Sequence, residues 1–315
     1  MAGLRTGVAL ALALVAHVQG LRLQEEADAN ATNASDAAAL YTAPKIVRGG
    51  PVKWSYFPPE PRLGIVVGGS PEEFAMGSYG AKNALILLQY AKRKGYALYV
   101  DKNIGRHSVR HPSWSKLHVM HQLIDDVPLL VWMDPDVVMT KPDFSLETLI
   151  KQSPCRGVHQ TRWDEYLSKE VKDDTFLWLS ASDREGGRDQ YEVNTAPGMM
   201  VLRRSPLAKE FLEKVWHVGG KPGYFLRHRY AARPYEAQVE EWPREQGAIW
   251  DVLASMPDKY LRKACIPAAG HLLSLDNHHW KEKILMRRLS DKAPRERNGI
   301  IGTYFKQFGL SDSML

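Results

Sequence analysis

A chain of 315 residues is long enough to bury a full core, as one large α/β domain or two fused halves. Hydrophobic residues make up 44% and charged residues 25%, ordinary proportions for a globular protein. The formal charge of +6 is modest and spread along the chain, with no RRM, zinc-finger or basic-zipper pattern, which argues against nucleic acid as a partner. A mildly basic surface suits anionic membranes and anionic substrates equally.

Arg5 precedes the uncharged stretch Gly7–Val18, GVALALALVAHV, and the next charge is Arg22. That stretch is short for a membrane span of roughly 20 residues and matches a signal-peptide core, with small residues around Val18-Gln19-Gly20 for cleavage. Residues 1–20 therefore read as a signal peptide or an uncleaved signal anchor, and either places the chain in the secretory pathway. Residues 21–62 are low in large apolar residues and rich in Ala, Asp, Asn, Glu and Pro, the composition of a stalk. Two glycosylation sequons, Asn30-Ala31-Thr32 and Asn33-Ala34-Ser35, lie in it.

The folded domain is expected over residues 63–315. Leu63–Val67 reads as a short strand running into Gly68-Gly69-Ser70, where small residues let a nucleotide approach the backbone; a plain βα turn has the same pattern. Ala81–Lys94 has a helical apolar period and ends in a basic turn followed by Gly95, a C-cap. Tyr96–Val100 makes a second strand. Trp114–Leu123 makes a second helix, with Ser113 as its expected N-cap. The order β-α-β-α-β implies a mainly parallel, Rossmann-like sheet flanked by helices.

Leu129–Met133, LLVWM, is the apolar run of a strand buried on both faces. It leads into Asp134-Pro135-Asp136, two carboxylates where a core would put none, because a buried unpaired charge costs several kcal/mol. Something cationic must therefore meet them. Pro135 ends strand pairing so that both can converge. Ligands in open α/β sheets bind outside the carboxyl ends of strands, and hard oxygen donors there suit Mg²⁺ or Mn²⁺ and a diphosphate. A solvated Asx-type turn is the bland alternative.

Beyond this motif Glu147–Gln152 reads as a short helix, residues 157–160 as an edge strand, and Leu167–Arg188 as a long polar loop over the site. Val193–Arg203 carries Asn194-Thr195-Ala196-Pro197-Gly198 into a strand at Met199–Leu202. Amphipathic helices follow at Leu207–Trp216 and Trp242–Leu253, the second containing Glu245-Gln246. His271, His278 and His279 cluster near the C-terminus, ahead of a basic segment and a polar tail. Cys155 and Cys265 form no zinc spacing; they either pair in an oxidising lumen or stay as two buried thiols.

In this order the pieces resemble the GT-A glycosyltransferases, and within them the retaining fungal α-galactosyl- and α-mannosyltransferases and plant xyloglucan xylosyltransferases. The resemblance spans about Leu63 to Leu253. It rests on AKRKGYALYVD, WSKLHVMHQLI, VWMDPDVVMT, and NTAPGMMVLRRSPLAKEFLEKVW followed by EQGAIWDVL. It implies a GT-A fold in which Asp134 and Asp136 hold Mn²⁺ (or Mg²⁺) against the diphosphate of a nucleotide sugar. It further implies that Asn194 and Gly198 line the sugar pocket, that Gln246 lies near the anomeric centre, and that Lys116 assists the donor. From the residues themselves, Gly68 and Gly69 are the candidates to face the nucleotide, and Glu245 is a candidate carboxylate beside Gln246. Two departures stand out. One residue is inserted in Asn194-Thr195-Ala196-Pro197-Gly198, and the late histidine metal motif has no clean match, leaving His271 and His279 as candidate ligands.

The chemistry is consistent with those residues. A carboxylate-held metal neutralises a phosphoryl leaving group, and an oxocarbenium-like transition state favours nearby amide oxygens and carboxylates such as those of Asn194, Glu245 and Gln246. The expected activity is transfer of a hexose or pentose, with a UDP-sugar favoured as donor, to a glycan or glycoprotein acceptor, with retention, in the secretory pathway lumen, the Golgi if the chain is anchored or outside the cell if the signal is cleaved. A relative that binds sugar nucleotide or glycan without turnover is the alternative. A dehalogenase-type phosphatase is opposed by the two βα units ahead of Asp134 and by the lack of a later Gly-Asp-x-x-x-Asp loop.

Overall fold

A computed structural model describes residues 55–102, 112–155, 166, 168–181, 195–219, 244–267, 274–275, 286–288 and 293–314. The signal segment, both sequons, Asn194, His271, His278, His279 and the expected edge strand at 157–160 lie outside the described residues.

The main sheet has six strands: β1 (Gly64–Gly68), β2 (Ala97–Asp101), β3 (Leu129–Met133), β5 (Leu177–Ala181), β6 (Thr195–Arg203) and β7 (Ala264–Cys265). Their order is β2-β1-β3-β6-β5-β7. β2, β1 and β3 run parallel, as do β5 and β7, while β6 runs antiparallel to both its neighbours. β4 (Val137–Met139) leaves the main sheet after the acidic turn and joins a three-stranded sheet with β9 (Met286–Arg288) and β8 (Ser274–Leu275). An isolated antiparallel bridge between Tyr56 and Leu98 brings the chain before Leu63 onto the outer edge of β2.

The helices are α1 (Tyr79–Lys94), α2 (Ser115–Leu123), α3 (Leu146–Lys151), α4 (Pro206–Gly219), α5 (Arg244–Ser255) and α6 (Pro294–Gln307). α1 starts where the Ser78 hydroxyl accepts a bond from the Ala81 N–H and stops at Gly95, whose φ of 67° only glycine adopts cheaply. α2 differs from expectation: a 3₁₀ turn at Pro112–Trp114 precedes it, so Trp114, not Ser113, holds the cap position, with no side-chain cap bond.

Successive side chains of a strand point to opposite faces, and the sheet uses both. Val131 and Met133 of β3 face a core shared with α1 and α6, whereas Leu130 and Trp132 face a core built with α2, α4 and α5. A central strand covered on both sides must be apolar throughout, which is why β3 shows no alternation.

Two further expectations fail here. Residues 177–181 form the strand β5 where a polar loop was expected, and Leu177, Trp178 and Leu179 are fully buried. The basic segment and tail hold a further helix, α6, started by Pro294 and docked through Ile301 and Phe305. Within β6 a bulge interrupts the pairing with β5. Leu179 pairs with Met200 but Ser180 pairs with Ala196, so Pro197, Gly198 and Met199 drop out of the ladder with β5. Met199 keeps its pairing with Met133 of β3.

Cys155 and Cys265 form a disulfide with Cα atoms 4.8 Å apart, tying the segment after α3 to β7. It closes a loop of 110 positions, worth roughly 4–5 kcal/mol of denatured-state entropy.

Candidate active site

The site sits at the carboxyl ends of β1, β2 and β3. Gly68 lies opposite Asp101, and the Gly69 N–H donates to the Asp101 carbonyl at 3.0 Å. A Cβ on Gly69 would stand 2.7 Å from Glu73 Oε2, 2.9 Å from the Phe74 ring and 3.3 Å from Pro135 Cγ. A side chain there would press on Glu73 and Phe74 and crowd Pro135 of the acidic turn, so glycine suits this close approach. Glu73 Oε2 in turn accepts from the Ser70 N–H at 2.8 Å, closing that turn.

The two carboxylates take their cations from opposite layers of the fold. Asp134 follows Trp132 on the α2/α5 side: its Oδ1 accepts the Trp132 indole N–H at 2.7 Å and lies 3.4 Å from Lys116 Nζ. The same Lys116 ammonium lies 2.9 Å from Glu245 Oε1, and both side chains are buried, 4% and 6% exposed. Lys116 therefore joins the acidic turn to the first turn of α5, where Gln246 is the next residue. Asp136 falls on the α1/α6 side, with Oδ2 3.6 Å from Nη1 of Arg297. Arg297 also donates to the Tyr79 hydroxyl at 3.4 Å, and Tyr79 donates to Glu73 Oε1 at 2.5 Å. Burial, and then Glu73, hold the Tyr79 hydroxyl well above the usual tyrosine range.

The backbone of the motif is held from beneath. Asn83, fully buried on α1, donates Nδ2 to the carbonyls of Pro135 at 3.1 Å and Val137 at 2.9 Å, on either side of Asp136. The Asp134 N–H donates to the Gly198 carbonyl at 2.8 Å, and the Val137 N–H closes the turn on the Asp134 carbonyl at 2.9 Å.

Eight of the residues picked from the sequence thus meet at one end of the sheet: Gly68, Gly69, Lys116, Asp134, Asp136, Gly198, Glu245 and Gln246. Asn194, His271 and His279 lie outside the described residues. Sequence reasoning missed Asn83, Trp132, Glu73, Tyr79 and Arg297. An asparagine on the buried face of an apolar helix was a usable signal for the first; no local pattern marks the last.

Among the described residues no group of three or more His, Cys, Asp or Glu converges on one point. Two aspartates nonetheless fit Mg²⁺ or Mn²⁺ in their donor chemistry, since such ions are often held by one or two carboxylates with waters and substrate phosphates completing the shell.

Residues 85–297 match the model of the galactosyl transferase GMA12/MNN10 family. The chain belongs to that family. It is accordingly a glycosyltransferase that moves a sugar from a nucleotide-sugar donor to an acceptor. No curated protein matches the transferase. Among solved structures it is similar to a glycosyltransferase involved in the glycosylation of the major capsid of PBCV-1. That match has 14% identity and a TM-score of 0.51 over 77% of this chain and all of the other. This likeness shows the GT-A fold. It is also similar to the galactosyltransferase LgtC, in complex with donor and acceptor sugar analogs, at 13% identity and TM-score 0.41, covering 78% of this chain and 95% of that one. Mouse xyloside xylosyltransferase 1 matches at 9% identity and TM-score 0.37, covering 74% of this chain and 98% of that one.

Proposed function

We propose that the transferase moves a hexose or pentose, with retention and with a divalent metal, from a UDP-sugar to a glycan or glycoprotein acceptor in the Golgi lumen. The observation that carries this reading is the ion-pair bridge at the strand end. Lys116 binds Asp134 on one side and Glu245 on the other, bringing the acidic turn and Gln246 to the same place.

Asp134 and Asp136 would hold Mn²⁺ or Mg²⁺, and the bound ion would supply Lewis-acid neutralisation of the departing diphosphate. Gly69 lets the turn after β1 pack against Glu73, Phe74 and Pro135 beside the acidic turn, and the Gly198 carbonyl holds the Asp134 end of the motif. Glu245 is engaged by Lys116 at 2.9 Å, which suits holding the start of α5 better than taking a proton from an acceptor hydroxyl. Gln246 then offers an amide oxygen to positive charge at the anomeric carbon. The acceptor attacks from the face the leaving group departs, and its proton passes to the departing phosphate oxygen. Asn194 would complete the sugar pocket, and His271 or His279 the metal shell.

A secretory location is supported by the Arg5-led apolar segment, by the two sequons, and by the Cys155–Cys265 disulfide, a bond typical of oxidising compartments. Residues 1–20 would be the signal or anchor, and the chain from residue 21 up to the segment that bridges to β2 at Tyr56 the stalk. Incubation with a panel of sugar nucleotides and glycan acceptors, read by diphosphate release and by the anomeric proton coupling of the product, tests the proposal. Release from a UDP-sugar and an α-linked product are expected, with Gln246→Ala lowering turnover far more than donor affinity. A β-linked product rules out retention; no release from any donor rules out the enzyme.

A further inference from the structure

We propose that Arg297 is the resident counter-charge of Asp136, so that the C-terminal helix α6 sets how tightly the site takes a divalent cation. The proposal rests on the metal reading above. Asp136 is only 8% exposed at its side chain and its partner Arg297 19%, so this carboxylate is charge-balanced by protein before any metal arrives. The 3.6 Å separation exceeds the 2.7–2.9 Å of a strong charged hydrogen bond. Attraction is present without a locked geometry.

Arg297 does not depend on Asp136 for its place. The Tyr79 hydroxyl accepts from its Nη1, and its guanidinium stands 5.5 Å from the Tyr79 ring centre. Tyr79 is fixed in turn by Glu73, whose other oxygen closes the turn after β1. A divalent cation arriving at Asp136 therefore meets a guanidinium that stays nearby, and like charges at this separation oppose each other by Coulomb repulsion. A diphosphate arriving with the metal brings the negative charge that relieves this opposition. The arrangement makes metal binding weak alone and strong with nucleotide. α6 stays docked without Arg297, because Asn298 donates to the Gly77 carbonyl at 3.1 Å and Ile301 and Phe305 are buried.

The test is titration of the purified full chain with Mn²⁺ in the absence of nucleotide, reading free ion by electron paramagnetic resonance, for wild type, R297Q, R297M, R297K and D136N. R297Q and R297M should bind Mn²⁺ about tenfold tighter than wild type, the effect of removing one nearby positive charge. R297K keeps a positive charge beside Asp136 and should bind Mn²⁺ less tightly than R297Q and R297M. The two neutral variants guard against a folding failure in either, which circular dichroism reveals. If wild type binds and D136N does not, while R297Q and R297M bind no tighter than wild type, Arg297 is only a docking residue and the proposal is wrong. If wild type binds no Mn²⁺, even with UDP added, the metal reading itself fails and takes this proposal with it.

Discussion

Removing Lys116 should cost this fold several kcal/mol. Its ammonium lies 2.9 Å from Glu245 and 3.4 Å from Asp134, and the lysine and glutamate side chains are 4% and 6% exposed. Lys116→Met keeps an unbranched side chain of similar length but strands the Glu245 carboxylate without that cation. Breaking one partner of a buried ion pair costs about 3–5 kcal/mol. For a domain of this size each kcal/mol moves the midpoint by roughly 2–4 °C, so the single variant should melt about 10 °C below wild type. Adding Glu245→Gln removes the stranded charge and leaves Asp134 its bond from the Trp132 indole. The double variant should therefore recover about 1–3 kcal/mol of the loss, a coupling typical of residues in one network. Thermal unfolding followed by circular dichroism in metal-free buffer reads both. A fall of less than about 2 °C for Lys116→Met, or simple additivity in the double variant, would refute the bridge as an energetic feature.

Two further outcomes are expected. Burial holds the His121 ring below its ordinary range, outweighing the Glu213 carboxylate at 3.4 Å. The folded state then binds fewer protons than the unfolded one, so the stability His121 permits is full above about pH 6.5 and declines as pH falls below it. The melting temperature of wild type should drop between pH 7.5 and pH 5.5, and His121→Gln should flatten that slope; equal slopes would contradict the assignment. Second, glycosidase treatment of the protein made in a eukaryotic cell should raise its gel mobility through Asn30 and Asn33. An unchanged mobility with cytosolic fractionation would contradict the lumenal reading.

Much of the parallel half of the sheet was legible because its signals are local. Leu129–Met133 is uniformly apolar, and α1 carries its own stop in Lys92-Arg93-Lys94-Gly95. β5 was missed because LWLSA is a short run set in polar sequence, and its faces are buried in two cores built largely from elements distant in sequence. α6 was missed because PRERNGIIGTYFKQ is polar with two glycines, and only Ile301 and Phe305 are buried from it. At the site, buried charge at Asp134 and Asp136 demanded a cation, which the sequence argument assigned wholly to metal. The structure adds two protein cations, Lys116 and Arg297. Lys116 precedes the motif by one helix and was accessible to pattern; Arg297 reaches Asp136 only through the docking of the C-terminal helix, which no spacing encodes.

The central claim is that Asp134 and Asp136 form a metal-dependent donor site. Its most direct measurement is diphosphate release from the preferred sugar nucleotide by wild type and Asp136→Ala, after EDTA treatment and after Mn²⁺ is restored. Wild type should lose release with EDTA and regain it with Mn²⁺, while Asp136→Ala should remain inactive in both conditions although it folds. Undiminished release by EDTA-treated wild type, or by Asp136→Ala, would contradict the account.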